Sequence, residues 1–128
     1  MPNILVIDDD QLVAEATRGL LRTQGYNVTV AHNGKSGIEA ARSDRFDLAI
    51  VDVFMPDIDG LQVIKVIRES NPDMPMIAVS GFMFGNACPE MPGFESMAAE
   101  VGAVSALYKP IQPDHLLAVI ETAMMAAP

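Results

Sequence analysis

Short aliphatic runs alternate with helical periodicity along the whole chain. Continuous apolar runs cover 4–7, 48–51 and 76–79, a polar–apolar alternating stretch covers 27–31, and a last short run covers 104–108. Between them, apolar residues recur at the three- and four-residue spacing of helices, near 12–24, 35–43, 61–69, 95–102 and 113–126. This alternation predicts an α/β fold, in which a parallel sheet is covered by helices on both faces.

The character of each run predicts its place in the sheet. Central strands of a parallel sheet are buried on both faces and read as continuous aliphatic runs, whereas edge strands alternate. We therefore expect 4–7, 48–51 and 76–79 at the centre and 27–31 at an edge. This pattern fits the strand order 2-1-3-4-5, in which ligands bind beyond the carboxyl ends of the strands, between strands 1 and 3.

Length and charge narrow the classes of function. The 128 residues fit a single domain, 1–128, and half of them are hydrophobic. Eight basic residues against 17 acidic ones give a net charge of −9. This charge argues against binding of nucleic acid or of an anionic membrane surface, and no apolar run is long enough to span a bilayer. The single cysteine, Cys88, and an N-terminus without a basic signal region predict a cytoplasmic location.

Acidic, hydroxyl and ammonium groups follow four of the predicted strands. The strand ends carry Asp8-Asp9-Asp10, Asp52, Ser80-Gly81 and Lys109-Pro110. Clustered carboxylates repel one another unless a cation lies among them, and Mg²⁺ binds a few such oxygens together with waters and a phosphate. A carboxylate beside Mg²⁺ can attack phosphorus, while a lysine and a hydroxyl stabilise the phosphoryl oxygens. We interpret Asp10 as a helix cap.

The chain resembles response-regulator receiver domains over essentially its whole length. The resemblance rests on these motifs, in order: 4–10 (Ile-Leu-Val-Ile-Asp-Asp-Asp), 52–56 (Asp-Val-Phe-Met-Pro) with Asp59-Gly60, Ser80-Gly81, Gly102-Ala103 and Lys109-Pro110. It implies a flavodoxin-like, doubly wound (βα)5 fold with five parallel strands. It also implies a phosphoacceptor in a two-component or phosphorelay system, which receives its phosphoryl group from a histidine kinase or histidine phosphotransfer protein.

The resemblance assigns a role to each site residue. Asp52 would be the phosphoacceptor, Asp9 and Asp52 would bind Mg²⁺, Asp8 would hold a metal-bound water, and the main-chain carbonyl of Phe54 would complete the protein ligands. Ser80 and Lys109 would bind the phosphoryl group. Residues flanking the site are Phe54, Met55, Pro56, Gly81 and Pro110. Such domains catalyse their own phosphorylation and dephosphorylation without being conventional enzymes, and phosphorylation changes their contacts with a downstream protein, here unidentified.

The chain departs from the family pattern at two places. The aromatic residue usual three positions before the lysine is replaced by Ala106. Tyr108, on the same strand face, is a candidate for the readout of phosphorylation together with Phe82, and the alternative for Tyr108 is that it only fills the core or surface. The segment between the fourth strand and fourth helix, 82–94, is longer than usual and rich in Met, Phe, Pro and Gly. Two interpretations stay open for it: a partner-binding or lid segment, or an extension of the core.

Two other functions compete with this interpretation. An aspartate-nucleophile phosphohydrolase of the haloacid-dehalogenase type would use Asp8 as nucleophile in place of Asp52. A receiver-like binding module would never take phosphate.

Phe54 and Phe82 flank the site, so we also predict that they shield a long-lived phosphoryl group from water. The sequence leaves open the kinase and target, homodimerisation through the fourth and fifth helices, and membership of a longer protein.

Overall fold

Strands and helices alternate along the computed structural model, which describes residues 2–55, 57–80 and 94–126. In these ranges the strands are β1 (Asn3–Ile7), β2 (Asn27–Ala31), β3 (Leu48–Asp52), β4 (Met76–Ser80) and β5 (Ser105–Tyr108). The helices are α1 (Gln11–Thr23), α2 (Gly34–Ser43), α3 (Gly60–Ser70), α4 (Phe94–Glu100) and α5 (Pro113–Ala126). The elements predicted from the sequence are all present, and their ends differ from the prediction by at most two residues.

The strands form one parallel sheet in the predicted order β2-β1-β3-β4-β5. The register pairs Ile4 with Leu48, Asp52 with Val79 and Ser80 with Tyr108. Every residue of β3 and β4 is buried, whereas β2 alternates between exposed and half-buried positions until its last residue. The prediction of central and edge strands from their hydrophobic pattern is therefore confirmed.

The sheet separates the buried apolar side chains into two clusters. The α4-side core packs β-strand residues against α2, α3 and α4. The α1/α5-side core packs the opposite face of the strands against α1 and α5. Successive strand residues alternate between the two: Ile77 and Val79 belong to the α1/α5-side core, and Met76 and Ala78 to the α4-side core. The direction of any strand side chain therefore follows from its position.

The exposed face of α1 differs from the face that helical spacing suggests. Leu12 is 84% exposed and Ala16 is also exposed, while Ala14 and Leu21 are fully buried. Val13, Ala16 and Leu20 line an open groove between α1 and α5. Apolar residues of α1 that would meet α5 in a closed packing thus face this groove or solvent.

Two loop contacts fix the region after β3. Gly60, the first residue of α3, packs so closely on the backbone of Asp52 and Val53 that a Cβ atom there would overlap it. Asp57 accepts hydrogen bonds from the first two amides of α2, those of Gly34 (3.0 Å) and Lys35 (3.1 Å). The loop that follows Asp52 is therefore attached both to its own helix and to the neighbouring one.

Candidate functional site

Three carboxylates converge at the carboxyl edge of the sheet. Asp8 follows β1 and Asp52 ends β3, and because these strands are neighbours their side chains lie side by side. One oxygen from each of Asp8, Asp9 and Asp52 lies within 4.8 Å of the other two. Asp8 and Asp52 are only 6% and 4% exposed, while Asp9 faces solvent. The structure thus brings together the acidic residues singled out in the sequence.

Lys109 brings the only described positive charge that contacts this cluster. Its Nζ lies 2.8 Å from Oδ2 of Asp8 and 3.5 Å from Oδ2 of Asp52. Its backbone N–H donates to the carbonyl of Ser80 at 2.8 Å, which holds the end of β5 beside the end of β4. The cis Lys109–Pro110 peptide follows, with Pro110 exposed at the rim of the site.

The buried charges perturb one another. Burial raises the pKa of Asp52 to about 7, against the opposing effects of Lys109 and of the Phe54 N–H, which donates to Oδ1 at 3.0 Å. The neighbouring Asp8 adds to the rise. For Lys109, burial alone would lower the pKa of the ammonium, but its hydrogen bond with Asp8 and the charges of Asp52 and Asp8 raise it. In the absence of a further cation, Asp52 is costly to ionise where it lies.

This donor set fits a hard divalent cation. Three carboxylates face one ammonium, so the cluster carries uncompensated negative charge, and oxygen donors at one open rim are what Mg²⁺ prefers. A cation there would also favour ionised Asp52 by offsetting the cost of burying it. Phe54 is half-buried next to Asp52; its carbonyl stays a predicted ligand.

Asp10 has a different role from the three clustered carboxylates. Its carboxylate accepts hydrogen bonds from the amides of Leu12 (3.0 Å) and Val13 (3.2 Å), and it is the N-cap of α1. The sequence interpretation of Asp10 as a cap is confirmed. Its own N–H donates to Asp8 at 2.9 Å, so the cap also helps to orient that carboxylate.

The other predicted residues lie at the end of β4, on β5 or in the loop after β3, or they fall outside the described residues. Ser80 is buried at the end of β4, and Ala106 and Tyr108 both pack on the α4-side core, which confirms that they share a strand face. Met55 also packs there. The predictions for Pro56, Gly81, Phe82 and most of the 82–94 segment fall outside the described residues; only Phe94, the first residue of α4, is included.

The structure adds two features that sequence reasoning missed. A groove of about 940 Å³ runs from the acidic cluster between α1 and α5. Its apolar walls include Val13, Leu20, Ile111 and Leu116. The other feature is the Asp57 contact with α2, which joins residues more than 20 positions apart. Neither carries a local sequence signal, because each depends on how separate elements pack.

The arrangement matches a known protein family along nearly the whole chain. Residues 4–121 match the model of the response regulator receiver domain. The chain belongs to this receiver-domain family. Receiver domains act in two-component signalling, and this one has an acidic cluster beside a lysine at the carboxyl edge of its sheet. The family assignment gives no support to the haloacid-dehalogenase alternative.

Relatives of this receiver domain include transcriptional regulators. The chain is 34% identical over 122 residues to the transcriptional regulatory protein ZraR of Escherichia coli K12, covering 95% of this chain and 26% of ZraR. It is 40% identical over 77 residues to the probable transcriptional regulatory protein TcrX of Mycobacterium tuberculosis, covering 60% of this chain and 33% of TcrX. The chain thus spans about a quarter to a third of the length of these relatives.

Solved receiver structures share its fold. A CheY-like receiver domain protein from Methanospirillum hungatei superimposes with a TM-score of 0.86 at 26% identity, over 98% of this chain and 94% of that one. Chemotaxis protein CheY4 of Vibrio cholerae gives 0.85 at 26% identity, over 96% and 98%. Among the described residues, the receiver has no helix with the length and apolar character needed to cross a membrane.

Proposed function

We propose that this receiver domain accepts a phosphoryl group on Asp52, in a reaction that depends on Mg²⁺. The observation that carries the proposal is the environment of this one carboxylate: it is almost fully buried, lies in a cluster with Asp8 and Asp9, and faces the ammonium of Lys109 at 3.5 Å. A buried carboxylate with an incomplete complement of positive charge is suited to take up a cation together with a phosphoryl group.

The transfer is a displacement at phosphorus. A carboxylate oxygen of Asp52 forms the new P–O bond as the P–N bond of a phosphohistidine donor breaks, and the imidazole nitrogen leaves with the electron pair. Lys109 neutralises charge on the phosphoryl oxygens, and the Ser80 hydroxyl donates a hydrogen bond to one of them. The Phe54 N–H, at 3.0 Å from Oδ1, holds the Asp52 carboxylate in a fixed orientation for attack.

Asp9 and Asp52 would hold the Mg²⁺, with Asp8 bound through water and the Phe54 carbonyl as a further ligand. The metal would supply charge neutralisation for the incoming phosphoryl group. Asp9 supports this assignment because it is the exposed member of the cluster, turned to the side from which hydrated ions arrive.

The donor and target are proteins in this proposal. The donor class is a histidine kinase or a histidine phosphotransfer protein, with which receiver domains interact. The net charge of −9 is unsuited to DNA binding by this domain, so output would pass through protein contacts, whether to a downstream partner or to another domain like those of the transcriptional relatives. A histidine kinase takes its phosphoryl group from ATP, and we accordingly place the domain in the cytoplasm.

The deciding experiment is intact mass spectrometry after incubation with acetyl phosphate, with and without Mg²⁺. We expect one added phosphoryl group that requires Mg²⁺, persists in Asp8→Asn at a reduced level, and is absent in Asp52→Asn. Labelling that persists in Asp52→Asn but not in Asp8→Asn would instead favour the phosphohydrolase alternative. If no adduct forms and beryllofluoride with Mg²⁺ gives no thermal stabilisation, the domain is a receiver-like binding module and the proposal is wrong.

A further inference from the structure

The loop that follows β3 leaves the sheet directly after Val53. The N–H of Val53 donates to the carbonyl of Val79 at 2.8 Å, which continues the pairing of β3 with β4 by one residue. The next N–H, that of Phe54, donates to the side chain of Asp52 at 3.0 Å. Strand pairing therefore does not set the position of the Phe54 carbonyl, which depends on what holds the rest of the loop.

Asp57 attaches this loop to the start of α2. Its Oδ1 accepts from the N–H of Gly34 at 3.0 Å, and its Oδ2 accepts from the N–H of Lys35 at 3.1 Å. The amides of the first helical turn have no acceptor within their own helix, and a negative charge at this end is favoured by the helix dipole. Because each carboxylate oxygen has its own amide, both the position and the orientation of the Asp57 side chain are fixed.

Close packing at Gly34 supports the same contact. Gly34 is buried, and a Cβ atom there would lie 2.9 Å from Cγ2 of Val63 on α3 and 3.1 Å from Cβ of Ile58. Both distances are shorter than ordinary van der Waals contact between carbon atoms. The chain at 57–58 therefore rests on α2 through packing as well as through hydrogen bonds.

The helix that receives Asp57 is itself seated on β1. A Cβ atom at Gly37 would overlap the side chain of Ile7, the last residue of β1, so helix and strand approach closely there. Asp8 and Asp9 follow Ile7 directly in the chain. The contact of Asp57 thus joins the loop after Asp52 to a helix packed on the strand that carries the other two carboxylates of the cluster.

We propose that Asp57 is a positioning residue for the metal site, which holds the Phe54 carbonyl in place to bind Mg²⁺ together with the acidic cluster. The inference rests on the proposed function. Asp57 acts only through the loop, because its carboxylate binds amides of α2 and is not a member of the cluster. Without this contact the loop would have to be ordered when the metal binds, and the cost of ordering it would weaken binding.

Two substitutions at the start of α2 separate positioning from helix capping. Asp57→Ala removes the bonds between the loop and the helix. Asn33→Ala is the matched control: Asn33 is the N-cap of α2 and accepts from the N–H of Ser36 at 2.8 Å, so its loss weakens the same helix end without removing a bond to the loop.

Mg²⁺ affinity is the first measurement, made by isothermal titration calorimetry at constant ionic strength. We expect the Kd for Mg²⁺ to rise about tenfold in Asp57→Ala, as is typical when a group that orients a metal ligand is removed. Asn33→Ala should keep the wild-type Kd. In acetyl-phosphate labelling, Asp57→Ala should need more Mg²⁺ for its half-maximal rate but should reach the wild-type rate at saturating Mg²⁺.

A second measurement needs no metal. The exchange rate of the Phe54 amide hydrogen, followed by NMR in metal-free protein, reports how firmly the loop is held. We expect exchange to be several-fold faster in Asp57→Ala than in wild type, and unchanged in Asn33→Ala. Asp57→Asn keeps one acceptor oxygen and should fall between wild type and Asp57→Ala in both measurements.

Gly34→Ala tests the contact from the helix side while the Asp57 carboxylate is kept. The added Cβ would displace Ile58, so we expect this variant also to raise the Kd for Mg²⁺. Equal Mg²⁺ affinity in wild type and Asp57→Ala, or an equal rise in Asn33→Ala, would overturn the inference. If wild type binds neither Mg²⁺ nor beryllofluoride, the proposed function fails and the inference falls with it; if wild type binds both and Asp57→Ala binds Mg²⁺ as tightly, the inference alone fails.

Discussion

The Nζ atom of Lys109 lies 2.8 Å from Oδ2 of Asp8, and both side chains are largely shielded from solvent. Removing one partner of such a pair leaves a buried charge without compensation. We expect Lys109→Met to lower the free energy of unfolding by about 3 kcal/mol in metal-free buffer at pH 7, as measured by urea denaturation. Exposed Lys65 on α3 is the control, and Lys65→Met should change stability by less than about 0.5 kcal/mol. Equal effects of the two variants would contradict the buried-pair assignment.

Variants of Asp9 and Asp10 can distinguish Mg²⁺ binding from capping of α1. Mg²⁺ at roughly one hundred times its Kd should stabilise wild type by about 2.7 kcal/mol. Asp9→Asn should lose most of this gain, because it removes a charged donor from the cluster. Asp10→Asn removes the same charge but keeps the cap of α1, since Asn caps as well as Asp. We expect it to respond to Mg²⁺ almost as wild type does in thermal unfolding; a matching loss in both variants would argue for general charge screening.

Gly60 is a position where a single methyl group should disturb the site. A Cβ atom there would overlap the backbone of Asp52 and Val53, which cannot move aside as a flexible side chain could. Gly60→Ala should therefore cost about 1–3 kcal/mol and slow phosphorylation of Asp52. Gly19, in the middle of α1, has no atom within 4 Å of such a Cβ, so Gly19→Ala should stabilise the domain by about 1 kcal/mol. Chemical denaturation and acetyl-phosphate labelling would check both.

The bond between Asp57 and α2 should appear in the pH dependence of stability. The Gly34 N–H, followed by that of Lys35, lowers the pKa of Asp57 below its ordinary value of 3.8. A lowered folded-state pKa stabilises the fold above the unfolded value, and this stabilisation is lost as the pH falls through the folded-state pKa.

We therefore expect wild type to melt above Asp57→Asn near neutral pH, and the difference to shrink below about pH 4. Circular dichroism melts between pH 7 and pH 3 would measure it. Asp44→Asn, at the other end of α2, is the control and should show a smaller difference throughout. A gap between wild type and Asp57→Asn that is constant with pH would show that the charge of Asp57 is not involved.

Phe54 is half-buried beside Asp52, where it lines the groove and also packs against the α4-side core. An apolar ring at this point hinders the approach of water to a phosphoryl group on Asp52. Phe54→Asn should accelerate dephosphorylation roughly tenfold, a barrier change of about 1.4 kcal/mol, measured as decay of the phosphorylated mass. Phe46 is a half-buried aromatic residue just before the amino end of β3, and Phe46→Leu should leave the dephosphorylation rate unchanged. A dephosphorylation rate of Phe54→Asn equal to that of wild type would contradict the prediction that Phe54 shields the phosphoryl group. The same prediction names Phe82 as a second shielding residue.

Much of the fold was predictable because strand burial and strand ends have local signatures. The aliphatic run at 76–79 predicted a strand buried on both faces, and the placement of Asp8, Asp52 and Lys109 after three strands predicted that they would meet. The same patterns say nothing about spacing between helices. The groove beside α1 and the exposure of Leu12 therefore did not follow from the sequence.

Contacts between elements that are distant in the sequence could not be predicted from it either. The Asp57 carboxylate caps a helix that begins 23 residues earlier in the chain, and the Phe94 ring meets Tyr108 only because α4 packs beside β5. The sequence identified Tyr108 as a candidate for the readout of phosphorylation, but its partner could be found only in three dimensions.

The division of the hydrophobic residues by the sheet into an α4-side core and an α1/α5-side core separates two kinds of surface. Substitutions on the outer faces of α1 and α5 do not repack the residues under α4, and the reverse also holds. The two surfaces can therefore accumulate substitutions independently of one another. In the laboratory, one of these surfaces could be redesigned while the packing beneath the other is kept.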